Sequence, residues 1–122
     1  MAEEIQKKLQ KELEVYSNMQ KEYRKAVSLK QQLDTQLSEN KTVKEELTLL
    51  KKDSEVYKLI GPVLVKQDLE EARQNVAKRI EYISKEIKRT EDHICALENK
   101  QEAQQEGLNK LKNDLNKLKL KA

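Results

Sequence analysis

Apolar residues recur in this chain at alternating steps of four and three through two separate segments, and the recurrence fails at one place only. The walk from Ile5 reaches Leu9, Glu12, Tyr16, Met19, Tyr23, Ala26, Lys30, Leu33, Leu37, Asn40, Lys44 and Leu47, nine of thirteen positions being apolar. The walk from Leu69 reaches Arg73, Val76, Ile80, Ile83, Ile87, Thr90, Ile94, Leu97, Gln101, Gln104, Leu108, Leu111, Leu115 and Leu118, with eleven of fifteen apolar. A mean period of 3.5 residues keeps one side of a helix apolar over many turns, which is the seam of a coiled coil. The break lies between Lys51 and Asp68, around Gly61-Pro62.

Composition narrows what such seams can build. Of 122 residues 39% are charged and 3% aromatic, and there is neither Phe nor Trp. A conventional globular core needs bulkier side chains than these, whereas paired helices do not. The expected fold is therefore dominated by α-helix: a single domain over 1–122, with a first helix over about 5–50, a β-hairpin over 55–67 and a second helix over 68–120. The helices rise roughly 68 Å and 78 Å and are close enough in length to pair as an antiparallel coiled coil. If the chain turns back at the hairpin, facing residues sum to roughly 118, setting Leu37 near Ile80 and Ile83 and Tyr23 near Ile94 and Leu97.

Between the seams, Val56-Tyr57-Lys58-Leu59-Ile60 and Val63-Leu64-Val65-Lys66 are short aliphatic runs around a two-residue loop. That is a hairpin signal, and Pro62 removes no ladder bond if it lies in the turn. Pairing across the loop sets Ile60 opposite Val63, Leu59 opposite Leu64 and Lys58 opposite Val65, so both faces are apolar. A lone two-stranded hairpin is marginal in water and has two open edges, so this one calls for strands from other chains. The residues expected to carry that assembly are Val56, Tyr57, Leu59, Ile60, Val63, Leu64 and Val65. Lys51 and Lys52 suit the end of the first helix, and Asp68 with Glu71 suits a capping box opening the second.

Lys44-Glu45-Glu46-Leu47, followed by Val56 through Gln67, resembles the centre of β-class prefoldin subunits, and Ile5-Gln6-Lys7-Lys8-Leu9-Gln10 and Lys78-Arg79-Ile80-Glu81-Tyr82-Ile83 resemble stretches of the same family. The resemblance covers nearly the whole chain. It implies a hexamer of two α-class and four β-class subunits whose hairpins assemble into β-barrels. It further implies capture of unfolded chains, notably actin and tubulin, and their delivery to the cytosolic group II chaperonin without ATP. The client would be gripped at the arm tips, where Leu115, Leu118 and Leu120 are expected to overhang the first helix beside Leu111, Ile5, Leu9 and Leu13. A homodimeric coiled-coil scaffold or assembly protein is the alternative.

Other chemistries find little support. His93 and Cys95 point in different directions on a helix, so no metal site is expected. No acid, base and oxyanion group can be assembled into a catalytic site, and Gly61 does not belong to a phosphate-binding loop. The chain is therefore expected to be no enzyme and to need no cofactor. Lys110, Lys112, Lys117, Lys119 and Lys121 make a basic C-terminal end, read as a solvated face or as a contact for an acidic chaperonin or client surface. Neither seam is preceded by a continuous basic region, so no nucleic-acid partner is expected. With no apolar leader or membrane span and a single cysteine, the expected location is the cytoplasm.

Overall fold

A computed structural model describes residues 1–121; the side chain of Lys121, part of the basic end, lies outside what it describes. The element order is α1 (Ala2–Leu49), β1 (Val56–Ile60), β2 (Val63–Gln67) and α2 (Leu69–Lys121). Helix α1 therefore begins three residues earlier than the apolar walk, because Glu3 and Glu4 are favourable in the first turn of a helix. Helix α2 begins one residue later than expected. Asp68 is its N-cap, its Oδ2 accepting from the amide of Glu71 at 3.2 Å while its carbonyl accepts from the amide of Ala72 at 2.9 Å.

Two compact units make up the chain, Lys30–Arg89 and Met1–Leu29 with Thr90–Ala122. In the first, Leu47, Leu69, Ala72 and Val76 form a buried cluster against which Val56 and Ile80 pack. Leu33 and Ile83 are also buried, and Leu37 and Ile87 half-buried. The seam here departs from the strict walk in two places. Ala72 is buried while Arg73 is only half covered, and Lys44 is exposed. A helix turns every 3.6 residues, so a 3.5-residue walk drifts off the contact line unless the helices supercoil to follow it.

In the second unit Ala26, Thr90, Leu97, Leu108 and Leu115 are buried. Tyr16 Oη reaches Gln105 Oε1 at 3.4 Å, Tyr23 Oη reaches Glu98 Oε1 at 3.2 Å, and His93 Nε2 lies 3.5 Å from Glu22 Oε1. Gln104 Nε2 also donates to Glu12. The residue numbers of the pairs Glu22–His93, Glu12–Gln104, Tyr16–Gln105 and Tyr23–Glu98 add to 115, 116, 121 and 121, an antiparallel pairing centred on the expected 118.

This register corrects one expectation about the tip. Leu115 does not overhang: it is buried, and Leu111 and Leu118 are half-buried. The second helix keeps its apolar positions covered to Leu118, so among the expected tip residues only Leu13 and Leu120 are left exposed.

Candidate assembly surface

The hairpin is antiparallel with Val56 opposite Gln67, Tyr57 opposite Lys66, Lys58 opposite Val65, Leu59 opposite Leu64 and Ile60 opposite Val63. Gly61 takes φ of 58°, which a two-residue hairpin turn needs at its first central position and which glycine adopts at little cost. Pro62 occupies the second position, where no ladder hydrogen bond is lost.

Only the root of the hairpin is covered. Val56 and Gln67 are half-buried, whereas Tyr57, Leu59, Ile60, Val63, Leu64 and Val65 are exposed, Leu59 by 68% and Leu64 by 64%. A large apolar side chain typically stabilises by about 1.5–3 kcal/mol on full burial, and these side chains leave roughly half of that unrealised. Among the described residues the sheet has two strands, so each has one edge without a partner in this chain. A groove of about 320 Å³ runs beneath the hairpin, with Val43, Leu47, Val56, Leu59, Ala72 and Val76 in its lining.

The joint between hairpin and helices has a part that the heptad reading missed. Arg73, one of the polar steps in the walk from Leu69, donates from Nε and Nη2 to the carbonyl of Leu47 at 3.2 and 3.0 Å. Nη2 also reaches the carbonyl of Leu50 at 3.3 Å, and Nη1 lies 3.5 Å from Glu70 Oε2. The last carbonyls of a helix have no partner within it, and α1 has no basic residue in its own last turn. Arg73 supplies both donors and charge from the other helix. A sequence signal existed: Leu47 and Arg73 add to 120, so the pairing already set a cation beside the end of α1.

Toward the start of α1 and the end of α2, Met1, Leu13, Val15 and Leu120 are exposed apolar side chains. Ile5 and Leu9 are half-buried near the start of α1. Cys95 is free and exposed, and among the described residues no three His, Cys, Asp or Glu side chains converge as metal ligands. No described helix is long and apolar enough to cross a membrane.

Residues 10–118 match the family described as "Prefoldin subunit". Prefoldin subunit 6 of Mus musculus is 53% identical over 114 residues, covering 93% of this chain and 90% of the mouse protein. The probable prefoldin subunit 6 of Drosophila melanogaster is 59% identical over 95 residues, covering 78% of this chain and 74% of its own length. Among solved structures, the prefoldin beta subunit from Thermococcus strain KS-1 superposes with a TM-score of 0.59, covering 91% of both chains at 24% identity, a likeness of fold.

Proposed function

This chain belongs to the prefoldin subunit family, and we propose that it acts as a β-class subunit of a hetero-hexameric holdase, with its hairpin as the assembly surface. As a prefoldin subunit it is a chaperone component and not an enzyme, and its partners include other prefoldin subunits. Val56, Tyr57, Leu59, Ile60, Val63, Leu64 and Val65 meet hairpins of α- and β-class subunits in the complex. The observation that carries this reading is a hairpin with apolar side chains exposed on both faces and open strand edges, which a second strand would both cover and pair. The complex works in the cytoplasm, holding unfolded actin and tubulin without ATP and passing them to the group II chaperonin. The client is gripped near the start of α1 and the end of α2, by Leu13 and Leu120 together with partly covered Ile5, Leu9, Leu111 and Leu118. Leu115 is buried and contributes there by packing.

Assembly is tested by co-expression with the other prefoldin subunits and native mass measurement. Changing Leu59 and Leu64 to Asp abolishes incorporation while leaving the helices folded; an unaltered hexamer would refute the assignment. For the tip, Leu13→Ser with Leu120→Ser leaves the hexamer intact but weakens suppression of aggregation of a denatured client. Holdase activity undiminished when the other subunits' tips are changed likewise would remove the client site from these residues.

A further inference from the structure

From the hydrogen bonds of its guanidinium, we infer that Arg73 is a positioning residue for assembly: it locks the end of α1 to the first turns of α2 and so holds the hairpin in the orientation its partners recognise. The inference rests on the hairpin being the assembly surface.

The two strands are tethered to the helices unequally. β2 ends at Gln67 and α2 starts at Leu69, with Asp68 between them fixed as the N-cap of α2. β1, in contrast, is separated from the end of α1 at Leu49 by residues 50–55. Such a connector can pivot unless something holds it. Polar contacts do. Arg73 Nη2 grips the Leu50 carbonyl where the connector leaves α1, Ser54 closes a turn onto the Lys51 carbonyl at 3.0 Å, Glu55 Oε2 accepts from Tyr57 Oη at 2.8 Å, and Glu55 Oε1 lies 3.8 Å from Lys66 Nζ on β2. Among the described residues, only the Arg73 contact ties the connector to the opposite helix. Among described side chains between residues 40 and 89, no other hydrogen-bonds from one helix to the other.

The same guanidinium binds the carbonyl of Leu47, whose side chain belongs to the buried cluster with Leu69, Ala72 and Val76. Val56, the first residue of β1, packs on that cluster. Arg73 thus fixes both the connector's departure point and the apolar seat on which β1 rests. A planar fork suits this task. It addresses two carbonyls at once, whereas a lysine ammonium is a single point charge on a flexible four-carbon stem. Helix pairing itself does not need it, because the apolar cluster lies beside Arg73 and not through it.

The test uses full-length chain reconstituted with the other subunits. Arg73→Met keeps the stem and removes donors and charge; Arg73→Lys keeps the charge and loses the fork. The methionine variant retains the helical circular dichroism of the wild type but loses at least tenfold in affinity for its partners. Hydrogen exchange at residues 47–60 accelerates in the free variant while exchange in the terminal unit is unchanged. The lysine variant recovers part of the affinity, and added methylguanidinium recovers part of it for Arg73→Ala. Wild-type affinity in Arg73→Met overturns the inference, as does a loss of affinity matched by loss of helicity throughout the chain. If the wild-type chain itself failed to join the other subunits, the assembly reading would fall instead.

Discussion

Gln101 carries a buried amide nitrogen without a hydrogen-bond partner among the described residues. An unsatisfied buried donor costs roughly 1–3 kcal/mol, so Gln101→Leu is expected to stabilise the terminal unit by about 1 kcal/mol. An unchanged or lower urea midpoint would show that water satisfies the amide. Ile83, 7% exposed, is the opposite case. Truncation to Ala removes well-buried methyl groups and is expected to cost about 2–5 kcal/mol, read from the same unfolding curves. Tyr23 and Tyr57 add a pH signature. The hydrogen bond to Glu98, then that carboxylate's charge, raises Tyr23 above the usual tyrosine range; for Tyr57 it is the bond to Glu55 and then burial. These bonds are intact below the ordinary tyrosine range and lost as pH climbs through the raised values. An alkaline absorbance titration is expected to show a late component that shrinks in both Tyr23→Phe and Tyr57→Phe.

Helix ends and the turn are the points at which single residues decide an element. Asp68 caps α2, and its replacement by Ala is expected to cost about 1 kcal/mol. Gly61 has no heavy atom within 4 Å of where a Cβ would stand, so Gly61→Ala is not opposed by packing. Its cost is the left-handed backbone alone, about 1–2 kcal/mol. Asn tolerates that conformation better than Ala. Hydrogen exchange of the β1 and β2 amides is therefore expected to be fastest in Gly61→Ala, intermediate in Gly61→Asn and slowest in the wild type. Equal rates would place the turn in another conformation. The exposed i,i+4 pair Lys85–Glu81 adds little, because water and salt screen it.

Across the whole chain, burial is thin. The surface is 9835 Å², against roughly 6,800 Å² expected for a globular monomer of this mass. No described side chain is less than 2% exposed. A chain with so little interior gains stability from whatever binds its folded state, by mass action. The melting midpoint of the assembled chain is accordingly expected to rise with the concentration of its partner subunits. A midpoint independent of that concentration would mean that the hairpin gains no cover on assembly.

Much of this was legible in the residues. A 3.5-residue repeat can bury its apolar side only against another helix, and Gly61-Pro62 between two aliphatic runs permits only a tight reversal, so seams, hairpin register and antiparallel pairing followed from spacing. The exposure of the hairpin was legible too, since a strand apolar on both faces has no stable resting place in one chain. What spacing could not tell was where covering stops. Leu115 reads as an overhang until the pairing of two particular helices buries it. Arg73 reads as a fault in a repeat until folding brings it, 26 residues along the chain, to carbonyls that carry no mark in the sequence. Backbone acceptors are the same at every residue, so which of them lack partners depends on where helices end and on what stands beside them in space.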